Sequence, residues 1–337
     1  MSQASGAPVI KYAILATDGS PYASAATAFA GALAWPAGAT ISVASVLDAP
    51  DPGGLPVRCQ AAPVAADWST ILEHTHPAAH EEVTSCIADA AETLRAQCPG
   101  VEIDEVFRVG EPAAELLSLA RSSGAELMMV GARGRTVLER LLLGSVSEGL
   151  VAEASCPVLI VREEAAEIRV VLVALRSADD ADRLADACRR LPLPPAAKLV
   201  AVTASAPQPP GGAAARPRAS GAAEAPLAAR GETERAGPEA AGLHFVERIR
   251  AGDPERPVTA RVICGNLPSS ALESRAGIAP ALLREAEALG ADLIVVGARE
   301  QPGGAAKLGL GSVTRKLVRR APRAILVVRD ALPSQQV

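Results

Sequence analysis

Short and almost uninterrupted apolar runs recur along the chain: Ile10–Thr17, Leu127–Val130, Val158–Val161, Val170–Leu175, Leu293–Val296 and Ile325–Val328. Strands buried on both faces read this way in parallel sheets, whereas half-exposed strands alternate apolar and polar positions. Between the runs lie segments with helical spacing, such as Ala23–Leu33, Ala113–Arg121 and Val146–Ala154. Strand alternating with helix predicts doubly wound α/β layers joined by right-handed crossovers. The pattern leaves the order of the strands open.

The pattern occurs twice. Gly124–Arg133 (GAELMMVGAR) returns as Gly290–Arg299 (GADLIVVGAR), with seven of ten positions identical. Gly144–Glu163 is echoed by Gly311–Asp330, and the opening KYAILATDGS from Lys11 parallels RVVLVALRSA from Arg169. A repeat of roughly 160 residues is far longer than a solenoid unit. It predicts two tandem Rossmann-like domains, residues 7–163 and 168–330, with a short junction at Glu163–Ile168. A length of 337 residues fits two domains of ordinary size. One register stays open: both Cys264-Gly265 and Arg275-Ala276-Gly277 compete as the second-copy match to Arg108-Val109-Gly110.

Two segments interrupt the repeat. Asp48–Trp68, with prolines at 50, 52, 56 and 63, reads as a long surface loop. In Ala204–Ala241, 25 of 38 residues are Ala, Gly or Pro and Leu227 is the sole large aliphatic, so this insert is expected to be disordered.

Composition narrows the function classes. A formal net charge of −5 and no basic stripe argue against nucleic acid as a partner. Aromatics make up 2% of residues, too few for base stacking or for gripping Pro-rich peptides. No apolar run reaches the ~20 residues of a membrane helix, and MSQASGAPVI lacks a secretory layout. Six cysteines without CxxC spacing fit reduced thiols in a cytoplasm, and Cys86 and Cys98 are read as helix-packing thiols.

Candidate chemistry concentrates in Val130–Val146. A buried strand ends at Gly131, Gly134 follows after two residues, and Gly144-Ser145 after nine more, where Ser145 opens a helix. Glycines at a strand end let backbone N–H groups approach an anion, and a helix start adds unpaired N–H groups and a positive dipole end. Neither a Walker A loop nor the GxGxxG spacing is present. Arg133 and Arg135 are candidates to neutralise phosphate charge.

This spacing, together with Ala16-Thr17-Asp18-Gly19-Ser20 on the first strand and Val43–Val46 on the second, resembles the ATP-binding class of the universal stress protein family. The turn Val109-Gly110-Glu111-Pro112 resembles that family too, and the resemblance covers both copies. It implies the α/β fold of the adenine nucleotide alpha hydrolase type and ATP as ligand, with Mg2+ accompanying ATP and no dedicated metal site. Phosphates would lie on the N–H groups of Gly131, Gly134, Gly144, Ser145 and Val146. Asp18 would address the ribose or adenine, and Val46 the base. The resemblance also implies edge-to-edge pairing of Cys156–Val161 with Ala324–Val328 within one chain, leaves a homodimer open, and suggests a cytoplasmic stress-response role.

The second copy departs from this pattern. Arg176 stands where the first has Asp18, Glu300 replaces Gly134, and the spacing to Gly311-Ser312 is one residue longer. A carboxylate facing polyphosphate is repelled, so the second site reads as degenerate. The competing reading is that Arg299 or Lys307 offsets Glu300 and another ligand binds. His74, His76 and His80 fall within seven residues, and His76 and His80 would share a face of a helix starting near Pro77. That arrangement matches helical zinc ligands, but a solvated, mildly pH-sensitive helix start after a long loop is the favoured reading, and no metal site is assigned. No catalytic acid–base set emerges. Binding is therefore favoured over two rivals: a slow ATPase or nucleotidyl transferase using the same loop, and a non-nucleotide interaction module.

Overall fold

The computed structural model describes residues 9–48, 77–134, 143–165, 167–205, 238–264, 277–298 and 310–329. The first half contributes β1 (Tyr12–Ala16), α1 (Pro21–Gly31), β2 (Thr40–Asp48), α2 (Pro77–Gln97), β3 (Glu102–Gly110), α3 (Pro112–Ser123), β4 (Leu127–Gly131), α4 (Ser145–Glu153) and β5 (Val158–Val161). The second half follows with β6 (Val170–Leu175), α5 (Ala178–Arg190), β7 (Lys198–Ser205), α6 (Pro238–Gly252), β8 (Val258–Cys264), α7 (Ile278–Leu289), β9 (Leu293–Gly297), α8 (Ser312–Arg320) and β10 (Ala324–Val328).

The strands form one sheet in the order β3-β2-β1-β4-β5-β10-β9-β6-β7-β8. Each half is thus wound 3-2-1-4-5, all parallel, which the apolar runs alone left undetermined. Winding reverses between β1 and β4 in the first half and between β6 and β9 in the second. Ligands of open α/β sheets bind beside the carboxyl ends of strands at such a reversal.

The halves meet at β5 and β10, the antiparallel pair. Val158, Leu159, Ile160 and Val161 face Val327, Leu326, Ile325 and Ala324. All eight are buried, so the seam is continuous with the core and two sheet edges disappear into it. Edge strand β3 carries Glu102, Asp104, Glu105 and Arg108 among its nine residues, charges that discourage pairing with another chain.

Helices cover both faces. One core cluster joins Phe29 of α1, Leu94 of α2, Leu184 of α5 and Phe245 of α6 over one face of the sheet. The other joins Leu116 of α3, Leu150 of α4, Leu282 of α7 and Leu317 of α8. Local sequence sets the helix starts. Ser20 accepts the Ala23 N–H with Pro21 at the first turn of α1, and Glu111 accepts from Ala113 and Ala114 ahead of Pro112 in α3.

The structure trims the expected insert. Ala204 and Ser205 extend β7 alongside Ile263 and Cys264, and α6 begins at Pro238 with Ala241 only 3% exposed. Ladder bonds hold the first pair, while Phe245 and Ile249 draw the helix into the core. Residues 206–237 and 49–76, the latter including all of the Asp48–Trp68 loop after Asp48, lie outside the described residues. The two competing matches to Arg108-Val109-Gly110 rest in part on Gly265, Arg275 and Ala276, which lie outside the described residues. β8 ends at Cys264 as β3 ends at Gly110, and Gly277 is the N-cap of α7, the place Glu111 holds in the first half.

Candidate functional site

At the carboxyl ends of β1 and β4, three short segments converge. After β1 the chain turns through Asp18, whose Oδ1 accepts the Ser20 N–H at 3.0 Å. Ser20 Oγ then donates to the Arg133 carbonyl at 3.2 Å, tying the start of α1 to the segment that leaves β4. The start of α4 closes the third side. Gly144 N–H donates to the Ala132 carbonyl at 2.9 Å, and Ser147 Oγ to the Gly131 carbonyl at 2.7 Å.

The three glycines make close contacts of different kinds. A Cβ on Gly131 would stand 2.6 Å from the Tyr22 carbonyl carbon and 2.8 Å from the Ala23 nitrogen, so only glycine lets α1 lie this close to β4. A Cβ on Gly134 would stand 2.6 Å from Asp18 Oδ2, and one on Gly144 would stand 3.3 Å from Arg133 Cα. The result is a backbone-lined cleft with one half-buried carboxylate at its side. Among the described residues no side chain caps α4, so its first N–H groups and positive dipole end face this cleft. Ser145 is exposed and Val146 half-buried at that helix start, and Val46 of β2 is half-buried on the same face of the sheet.

The positions named from the sequence therefore meet: Asp18, Gly131, Gly134, Gly144, Ser145 and Val146 share one cleft. Two of the expected roles change. Gly144 N–H is committed to the Ala132 carbonyl, so it closes the loop and is not a phosphate donor. Arg133, expected to neutralise phosphate charge, is 4% exposed, with its guanidinium 5.4 Å over the Tyr22 ring and Nη1 donating to Tyr22 Oη at 3.0 Å. It braces the loop from within the fold. Burial first, and then the like charge of Arg133, hold the nearby Arg162 guanidinium below its ordinary pKa. Arg135 lies outside the described residues.

In the second half a charge cluster forms beside Gly297, the counterpart of Gly131. Arg176, at the place of Asp18, clasps Asp180 through Nε at 2.6 Å and Nη2 at 2.8 Å. Arg183 Nη2 donates to Asp180 Oδ1 at 2.5 Å and lies where a side chain on Gly297 would sit. Asp180 is 4% exposed, and this cluster packs against Gly297 where, in the first half, the backbone of Tyr22 and Ala23 packs against Gly131. The supporting bonds persist even so: Thr314 Oγ1 donates to the Gly297 carbonyl at 3.0 Å, as Ser147 does to Gly131. Arg299, Glu300 and Lys307 lie outside the described residues.

Sequence reasoning missed Ser20, Tyr22 and Ser147. The repeated Gly-Ser-Val-Ser and Gly-Ser-Val-Thr, and Ser20 before Pro21, were the available signals. Of the three histidines, His80 lies on α2 with its ring 5.3 Å from that of Phe107, while His74 and His76 fall outside the described residues. Cys188 is a buried thiol on α5, Cys98 is buried directly after the end of α2, and Cys86 on α2 is half-buried.

Comparison with known proteins gives a consistent picture. A family model described as the universal stress protein family matches residues 11–162 and 271–329, more than half of the chain. A universal stress protein of Methanocaldococcus jannaschii is 31% identical over 158 residues, covering 47% of this chain and 85% of that relative. One from Bacillus subtilis is 44% identical over 63 residues, which span 19% of this chain and 43% of the relative. The crystal structure of a universal stress protein from Archaeoglobus fulgidus superposes on 95% of this chain and 99% of its own with a TM-score of 0.57 at 19% identity, a likeness of fold. The stretch between the two family matches contains β6, β7 and the Arg176–Asp180–Arg183 cluster.

Proposed function

The chain belongs to the universal stress protein family, and on that premise we propose that its first half binds ATP and acts as a nucleotide-responsive regulator in the cytoplasmic stress response. The observation that carries this reading is the contrast between the two clefts. A side chain at Gly134 would press on the Asp18 carboxylate beside the uncapped α4 N-terminus, whereas Arg176 stands at the place of Asp18 in the second half. In the second half Gly297, the counterpart of Gly131, has the Arg183 guanidinium and the Asp180 carboxylate against it.

The residues fit such a ligand. The N–H groups of Ser145 and Val146 would receive phosphate at the start of α4. Asp18 would accept hydrogen bonds from ribose hydroxyls, and Val46 would present an aliphatic face to the base. When bound, ATP supplies a polyanion and its Mg2+. The chain supplies orientation and a dry wall of glycine backbone. The second half is read as a partner domain without nucleotide. Among the described residues, no helix is long and apolar enough to cross a membrane.

Titration of the purified protein with Mg2+–ATP in a calorimeter tests this. Saturable binding at one site per chain, lost in Gly134→Glu, is expected. Wild-type protein that takes up no ATP would overturn the reading. Sustained turnover above background, lost in the same variant, would favour the ATPase alternative.

A further inference from the structure

Two arginines hold equivalent places in the two copies, Arg162 directly after β5 and Arg329 directly after β10. Each reaches across the seam to the last turn of the other half's helix. Arg162 Nη2 donates to the Val318 carbonyl of α8 at 2.7 Å. Arg329 donates to the Val151 carbonyl of α4 through Nη2 at 2.8 Å and Nε at 3.2 Å, and also to the Ala152 carbonyl. Val151 and Val318 are themselves equivalent, so the clasp follows the pseudo-twofold axis of the sheet. A cation on terminal carbonyls satisfies groups that a helix end leaves unpaired and complements its negative dipole end.

The two clasps are alike in geometry and unlike in consequence. The helix Arg329 holds is α4, whose opposite end opens onto the first-half cleft. α4 is only nine residues long, and the second half also grips its first turn, through Arg319 Nη2 to Glu148 Oε1 at 3.0 Å. Both ends of this short element therefore depend on groups from across the seam.

We propose that Arg329 is a positioning residue for the nucleotide site: by clasping the C-terminus of α4 from the second half, it sets the placement of the helix start that receives phosphate. This rests on the reading that the first half binds ATP. It assigns the second half a task, namely control of its neighbour's affinity. Anion at one end of α4 and cation at the other act on the same dipole, so each strengthens the other's hold.

The test uses the full chain and three variants. Arg329→Met removes the clasp, Arg329→Lys keeps the charge without the fork, and Arg190→Met serves as control. Arg190 also bridges the halves, with Nη2 on Glu126 Oε1 at 2.5 Å, without touching α4. Two readouts are taken: Mg2+–ATP affinity by calorimetry, and hydrogen exchange of α4 amides without nucleotide. Arg329→Met is expected to weaken ATP by about two- to fivefold, the scale of a helix-terminus charge, with Arg329→Lys between it and wild type and Arg190→Met unchanged. Its α4 amides, including those of the first turns, should exchange faster than in Arg190→Met. Unchanged affinity in Arg329→Met, or equal weakening in Arg190→Met, would overturn the proposal. If wild-type protein binds no ATP, the nucleotide reading fails by itself. The exchange readout still decides whether Arg329 holds α4, and unaltered α4 protection would refute that.

Discussion

The carboxylate of Asp18 lies against the α-carbon of Gly134, so close that a Cβ there would stand 2.6 Å from Oδ2. Asp18 is half-buried and can shift, so the fold tolerates a side chain at Gly134 better than the cleft does. Gly134→Glu should leave the ligand-free melting temperature nearly unchanged while abolishing its rise with ATP. For the wild type, ATP at a hundredfold excess over Kd should add about 2.7 kcal/mol of stability. A melting series with and without Mg2+–ATP checks both halves of the statement.

Gly131 should behave differently. A Cβ there would meet the Tyr22 and Ala23 backbone at 2.6 and 2.8 Å, and backbone has nowhere to rotate. Gly131→Ala is expected to cost about 1–3 kcal/mol of folding stability through overpacking between α1 and β4. Urea denaturation should show a lower midpoint with or without nucleotide.

Asp180 is the hinge of the second cleft's charge cluster. Asp180→Ala would remove the carboxylate that holds Arg176 and Arg183 beside Gly297. Breaking a fully buried pair costs about 3–5 kcal/mol, and the loss here should be smaller because the Arg176 side chain is 45% exposed. Denaturation should register the loss while ATP affinity of the first half stays as in wild type.

Buried thiols give the protein an alkaline limit. Burial pushes Cys156 up to about 11 and Cys188 up to about 12, from an ordinary value near 9. Unfolding frees both to ionise above that ordinary value, so the unfolded chain then holds fewer protons than the native one. Stability is present in full below about pH 9 and falls as pH climbs towards the folded values, by about 1.4 kcal/mol per pH unit for each thiol. The denaturation midpoint should drop between pH 9 and 11, and less so in a Cys156→Ala/Cys188→Ala variant relative to its own value at pH 8.

Much of this was legible in the sequence because burial on both faces of a strand leaves an unbroken apolar run. Val158–Val161 and Val170–Leu175 match β5 and β6 residue for residue. Gly131 was legible for a similar reason, since the close approach of the Tyr22 and Ala23 backbone leaves no room for a side chain. What escaped were relations between distant side chains. Arg183, three residues after Asp180 on an amphipathic helix, reads as an ordinary surface pair until Gly297 is seen beneath it. Arg133 reads as a phosphate clamp until Tyr22 is found to hold it. Arg329 follows an apolar run and gives no local sign that it ends on Val151, 178 residues earlier.

The most direct test of the asymmetry between the two clefts is mass spectrometry of the intact protein under non-denaturing conditions, in saturating Mg2+–ATP. One nucleotide per chain is the predicted stoichiometry, falling to none in Gly134→Glu. Two nucleotides per chain would show that the Arg176–Asp180–Arg183 cluster does not close the second site, and none would show that the first is not a nucleotide site at all.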